Sequence, residues 1–323
     1  MPAFGDTTTT DEVLEGIDLS GKTVFVTGGS SGLGQETVRA MAAKGAHVVI
    51  TARNPAQMDE AVAAIKADIP RANVETLTCD LASLESIKTA GAEANQRFEK
   101  IDVLINNAGV MACPKTLTKD GFEMQFGTNH LGHFALTKHL MPLLEAGAGR
   151  AGSGRIVNLS SRGHHLSPAQ LDDPNFETSE YSPWESYGCS KSANALFTKG
   201  LEDRFADNGI HAYAVHPGGI QTNLGRHLTE EDTKFLMERM KKNAGESGSP
   251  VVLKSIPQGA ATQVWAATAS ELDGLGGVYC EDCHVAQVDD VSTSGGVRSY
   301  ALDKGNADRL WAISEQMTGE NFA

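Results

Sequence analysis

Thr23-Val24-Phe25-Val26-Thr27-Gly28-Gly29-Ser30-Ser31-Gly32-Leu33-Gly34 is a β-branched run that breaks into glycines. The first five residues read as a strand, because stiff, branched side chains suit a pleated and buried surface. Glycines at 28, 32 and 34 then allow a tight turn, and a helical pattern over 31–44 follows. A strand, a glycine turn and a helix in this order bring backbone N–H groups and the positive end of a helix to one point, which suits a phosphate. The spacing is G-x-x-x-G-x-G, so the turn alone is a weak signal and its context carries the weight.

Working outward, strand patterns recur at 46–51, 74–79, 101–106, 155–160, 210–216 and 277–279. Helical patterns at 56–68, 83–99, 121–145 and 186–207 lie between them. Alternation of this kind predicts parallel βαβ crossovers, and strands such as Val103-Leu104-Ile105 are apolar throughout, as a sheet covered on both faces requires. The expected architecture is α/β: a single Rossmann-fold domain with a doubly wound parallel sheet of about seven strands, spanning 21–323. Residues 1–20, with the run Thr7-Thr8-Thr9-Thr10, are expected to form a loosely attached arm. The glycines and alanines of 147–154 suggest a surface loop. Two segments, 162–186 and 223–258, interrupt the alternation. They are candidates for a substrate loop and a lid, the second carrying Phe235, Leu236 and Met240 and a flexible 245–249 stretch.

The net charge of −14 argues against nucleic acid or an anionic membrane as partner. No apolar run reaches the ~18 residues of a membrane span. The N-terminus has neither the basic nor the apolar region of a secretory signal, and five unpatterned cysteines fit reduced thiols; both point to the cytoplasm.

Several residues carry chemistry. Tyr187 and Lys191 are spaced i, i+4, so one helical face presents both. A neighbouring ammonium favours a phenolate, and this pair suggests an acid/base. Ser160 and Ser161 end the fifth strand, where ligands bind in open parallel sheets. At the end of the second strand stands Arg53 rather than an acid, which favours the 2′-phosphate of NADP over the ribose of NAD. Asp80 is placed to meet an adenine amino group, and Asn107, Ala108 and Gly109 leave room for a cofactor against the strand ends. Cys280-Glu281-Asp282-Cys283-His284 matches a haem-attachment pattern, but the strand that it ends argues for plain strand-end thiols. His130, His133, His164 and His165 form no zinc set, so no metal is expected. Trp184 is a candidate for lining the substrate pocket.

Together these motifs resemble the short-chain dehydrogenase/reductase family. The likeness runs in family order through Thr27-Gly28-x-x-x-Gly32-x-Gly34, Asn106-Asn107-Ala108-Gly109, Asn129, Ser161, Tyr187-x-x-x-Lys191 and Pro217-Gly218-Gly219. The stretch Gly16 to Lys22, Ala52-Arg53-Asn54 and the 25 residues between Ser161 and Tyr187 look most like the retinol-dehydrogenase-like and WW-domain-oxidoreductase-like branch. The resemblance implies a hydride transfer between NADP or NAD and an alcohol or ketone, with Asn129, Ser161, Tyr187 and Lys191 catalytic. It implies cofactor contacts at Gly28, Ser30, Ser31, Gly32, Leu33, Gly34, Arg53, Asp80, Leu81, Asn107, Ala108, Gly109, Tyr187, Lys191, Pro217, Gly218, Ile220 and Thr222. The two inserted segments suggest a bulky apolar substrate such as a steroid, retinoid or aromatic alcohol. Family habit implies a homodimer or homotetramer through the helix that carries Tyr187 and its neighbour, while the branch with long Ser-to-Tyr spacing includes monomers as well. The competing reading is a non-catalytic dinucleotide sensor or scaffold on the same fold, although such relatives usually lack the tyrosine or lysine kept here.

Overall fold

The computed structural model describes residues 4–151, 153–247 and 253–322. In β1 (Thr23–Thr27) alternate side chains serve opposite faces. Val24 and Val26 join one core with Val38, Met41, Ile50, Val264 and Trp265, while Phe25 joins the other with Leu104, Ile87, Phe134 and Phe197. The same division holds for β2 (His47–Ala52) and β4 (Val103–Asn106). β3 (Asn73–Thr78) lies at the sheet edge, is mostly polar, and sends Val74 to one core and Leu77 to the other. β5 (Gly154–Leu159), β6 (Ile210–His216), β7 (Val278–Glu281) and β8 (His284–Val285) complete a sheet of eight strands in the order β3-β2-β1-β4-β5-β6-β7-β8. All neighbours are parallel except β7 and β8.

Among the described residues, ten α-helices pack around the sheet: α1 (Thr10–Val13), α2 (Gly32–Ala43), α3 (Pro55–Asp68), α4 (Leu84–Arg97), α5 (Met124–Phe126), α6 (Gly132–Ala151), α7 (Pro183–Phe205), α8 (Glu230–Ser247), α9 (Ile256–Thr268) and α10 (Lys304–Thr318). The register pairs Thr27 with Thr51 and Asn106 with Asn158. The C-terminal ends of the strands therefore finish along one edge. Connections run to opposite sides from β1 and β4, and the crevice at that reversal is where such sheets bind ligands.

Five expectations need correction. The sheet has an eighth strand, because Asp282 and Cys283 adopt positive φ (+48° and +57°) and fold the cysteine motif into a hairpin turn. The threonine run is no loose arm within the described residues. Thr9 caps α1 in a reciprocal box with Glu12, Thr10 and Leu14 are fully buried, and Arg39 of α2 pairs with Asp11 and Glu36; residues 1–3 lie outside the described ones. Residues 147–151 continue α6, because a Cβ on Gly147 would stand 2.0 Å from the Ile101 carbonyl oxygen. That glycine marks close packing of helix on strand, not a loop; residue 152 lies outside the described ones. The helix expected over 121–145 starts only at Met124 and runs through a π-turn at Gly127–Leu131. In the lid candidate, α8 replaces most of the irregular segment; 248–252, including part of the stretch expected to be flexible, lie outside the described residues.

Among the described residues no helix is long and apolar enough to cross a membrane. All five cysteines are buried and free.

Candidate active site

The glycine turn is shaped by backbone, not side chains. Gly28 has φ +66°, and a Cβ on Gly34 would lie 2.3 Å from the Gly28 carbonyl oxygen, so helix α2 can start this close only with glycine there. Thr27 fastens the turn to the next strand: its hydroxyl oxygen accepts from the Asn107 and Ala108 backbone N–H groups at 2.9 and 3.0 Å. Asn107 Nδ2 in turn donates to the Thr27 carbonyl at 2.7 Å.

This turn opens onto a cavity of about 920 Å³ that runs across the strand ends. Gly28, Ser30, Ser31, Gly32, Leu33, Gly34, Arg53, Asp80, Leu81, Asn107, Ala108 and Gly109 line it on the side of the glycine turn. Ser161, Tyr187, Lys191, Pro217, Gly218, Ile220 and Thr222 line it further along. The cavity length, the side-chain-free turn and the start of α2 suit an extended dinucleotide. Arg53 is exposed and meets no carboxylate at ion-pair distance among the described residues. Arg226, which sequence reading missed, also lines the cavity; burial and the charge of Arg53 lower its pKa. Asp80 is partly engaged, accepting from the Ala82 N–H at 3.1 Å and pairing with Lys119 at 3.2 Å.

Helix α7 begins at an Ser182 N-cap with Pro183 in its first turn, and carries Tyr187 and Lys191 inward. Tyr187 is 4% exposed, and the Lys191 ammonium lies 5.7 Å from its ring centroid. Gly163 allows Ser161 and Tyr187 to approach: a Cβ there would meet the tyrosine ring at 2.7 Å and the Ser161 hydroxyl at 3.4 Å. Lys191 Nζ donates to the Leu159 carbonyl at 2.9 Å. Burial pushes the Lys191 amine down to about 7. Burial also pushes the Tyr187 phenol up to about 12, with a Ser161 hydrogen bond opposing it. In the protein alone burial dominates at both groups, lowering the amine and raising the phenol.

Asn129 does not line the cavity. It sits in the π-turn behind Gly109, donating from Nδ2 to Val110 O and Ser190 Oγ (2.9 Å each) and accepting from Val110 N at 2.8 Å. Its main-chain carbonyl faces His133 Nδ1 at 2.9 Å, and His133 Nε2 faces the Thr27 hydroxyl at 2.9 Å. The neutral imidazole, pushed down to about 4 by burial, thus ties the glycine turn to the π-turn. Only the i, i+4 spacing of Asn129 and His133 hinted at this link. His130 instead packs between Phe126 and Phe197 and bonds Ser314. Among the described residues no group of three or more His, Cys, Asp or Glu side chains could hold a metal.

The two inserted segments meet over the cavity. Trp184 lines it and lies 5.3 Å, centroid to centroid, from Phe235 of α8, while its indole N–H donates to Asp232 at 2.8 Å. Leu236, Arg239 and Met240 of α8 also line the cavity.

Residues 22–233 match the family described as short chain dehydrogenase. The chain is 39% identical over 302 residues to short-chain dehydrogenase/reductase prx1 of Penicillium roqueforti, covering 93% of this chain and 86% of that one. It is 43% identical to a probable oxidoreductase of Streptomyces lividans (91% and 97% covered) and 36% identical to retinol dehydrogenase 13 of Homo sapiens (93% and 86%). A crystal structure from Mycobacterium Paratuberculosis matches with a TM-score of 0.70 at 33% identity over 95% of this chain and 96% of that one. The RhlG/NADP complex of Pseudomonas aeruginosa shares the fold at 20% identity, with a TM-score of 0.63 over 82% of this chain and 95% of that one.

Proposed function

We propose, from the premise that this chain belongs to the short-chain dehydrogenase/reductase family, that it transfers a hydride between NADP and a bulky, largely apolar secondary alcohol or ketone. The observation that carries the reading is the convergence of Ser161, Tyr187 and Lys191 on the cavity that the glycine turn opens. The dinucleotide, when bound, supplies or accepts the hydride and brings a positive ring to the site. The chain's residues handle the proton and the oxygen. Tyr187, protonated at neutral pH because it is buried, donates its proton to the developing alkoxide in reduction; in oxidation its phenolate form removes the hydroxyl proton. Ser161 holds the reacting oxygen beside that phenol and stabilises its developing charge. Lys191 holds the cofactor ribose. Asn129, whose side chain is spent on Val110 and Ser190, fixes the backbone next to Lys191.

Arg53 and Arg226 support a preference for NADP, since two guanidinium groups at one end of the cavity suit a phosphate. Trp184, Phe235 and Met240 support an apolar substrate body, and steroids, retinoids and aromatic alcohols are the classes to try first. Primary alcohols and aldehydes belong to the same chemistry.

The test is coenzyme absorbance at 340 nm with NADP and NAD against such a panel. Wild-type turnover that falls by ~10²–10⁴ in Tyr187→Phe supports the reading. Turnover undiminished in that variant contradicts it. Arg53→Gln should lower the NADP-to-NAD preference by about tenfold or more.

A further inference from the structure

Acidic residues outnumber basic ones here, 41 to 27. Half of the twelve arginines, Arg39, Arg97, Arg150, Arg155, Arg204 and Arg309, find carboxylates within 3.1 Å. Arg162 and Arg239 line the reaction cavity, and among the described residues neither meets a carboxylate at ion-pair distance. The Arg162 Nε is buried with no hydrogen-bond partner. An arginine left in this state inside a cavity calls for an anion, because an unmatched buried donor of a charged group is costly.

Among the described residues no neighbouring side chain pairs with the Arg162 guanidinium. His164, His165 and His216 are all held neutral, first by burial and then by the arginines beside them; His164 is pushed down to about 3 and His165 to about 4. The Arg162 backbone N–H donates to His216 Nδ1, so the imidazole is an acceptor there, not a counter-charge. The acids of the adjoining strands are committed elsewhere. Glu281 accepts from Gly296 N, Asp289 from Val291 N and Ser292 N, and Asp290 from Ser299 N. Lys254 is already paired with Asp282. Arg298, the third arginine of the group, spends its guanidinium on the Asp289 and Ser292 carbonyls.

We propose that the cavity contains an anion subsite made by Arg162, next to the reacting serine, and Arg239, on the lid helix α8, and that the substrate is an apolar alcohol or ketone carrying a carboxylate. The claim rests on the hydride-transfer reading above for which end of the substrate reacts. A carboxylate suits two planar, forked donors. Leu166, Trp184, Phe235 and Met240 line the cavity for the apolar body.

The experiment uses the full chain saturated with NADPH and two probes, benzoylbutyrate and its methyl ester, which differ only in charge at the far end. Binding is read by tryptophan fluorescence, since Trp184 lines the cavity, and reduction by loss of NADPH absorbance. The acid is expected to bind about 10- to 100-fold tighter than the ester, the range for hydrogen bonds to charged groups. That ratio is expected to fall toward one in Arg239→Gln and in Arg162→Gln, and to recover in part in Arg239→Lys. Arg239 lies on the outer helix, so its variants keep the test decisive if Arg162→Gln fails to fold. An acid-to-ester ratio near one in the wild type, or one that survives in the Arg239→Gln protein, overturns the subsite. Preferential acid binding without reduction of either probe supports the subsite while counting against hydride transfer. Equal reduction and equal binding of both probes does the reverse.

Discussion

Lys191 is a fully buried amine whose nearest polar partner is the Leu159 carbonyl, and burial pushes it down to about 7 from a free value of 10.5. The unfolded chain therefore binds this proton more tightly than the folded one. Between those two values stability falls as pH falls, and below about 7 the full penalty applies. Replacing Lys191 by Met removes it, and Asn194 Nδ2 still satisfies the Leu159 carbonyl at 2.9 Å. Lys191→Met should thus be inactive yet more stable at pH 7, by on the order of 2 kcal/mol, in chemical denaturation; equal or lower stability would show that the amine is not desolvated as described. Tyr187 gives the second residue-scale prediction. With its phenol pushed up to about 12, the acid form prevails at neutral pH. Reduction should be flat with pH from 6 to 8, while oxidation should rise about tenfold per pH unit toward the alkaline side. A pH-rate profile in both directions checks this. The sequence reveals Tyr187, Lys191 and the glycine turn because their geometry is local: a helix fixes i, i+4 and a turn fixes its glycines. It does not reveal Arg162, Arg239 or the Thr27–His133–Asn129 link, because each joins segments far apart in the chain.

Among the elements, α8 and the loop before α7 govern access. Phe235 and Trp184 face each other across the cavity mouth, and Phe235 is exposed apart from that contact. Phe235→Ala should raise KM several-fold for a bulky ketone and leave a small one such as acetone nearly unchanged, since the lost area matters only to a substrate that reaches it. Equal effects on both would deny α8 a part in binding. Helix α6 shows why some boundaries were misread. Glycine signals both turns and close contact, and Gly147 serves the second purpose against Ile101. Gly147→Ala should destabilise the protein by more than the ~1 kcal/mol that helix propensity alone would return, measured by thermal unfolding. The eighth strand escaped notice because two residues cannot show a period, and its turn uses Asp282 and Cys283 at positive φ, not glycine.

Across the whole molecule, the outer face of α7 is covered from within. α10 packs along α7, with Trp311 against Gly200 and Phe197, and Phe322 closes over Phe134 and Phe205. Glu320 then pairs with Lys138 and His139 of α6. A dimer through α6 and α7 would have to displace this C-terminal segment, so the chain should run as a monomer in light scattering; a stable dimer whose interface maps to α7 would refute that. The parallel order of the sheet was legible because strands and helices alternate along the chain. The covering of α7 by α10 was not, since nothing local in 304–318 says where that helix lands. The central claim is that the cavity passes a hydride directly to carbon while Tyr187 handles the proton. The most direct measurement supplies NADPH deuterated at the transferring position together with a bulky aryl ketone, and reads the alcohol by mass spectrometry. The account predicts one deuterium on the carbinol carbon, and product formed ~10²–10⁴ times more slowly by Tyr187→Phe. Alcohol without that deuterium, or equal product from the variant, would contradict it.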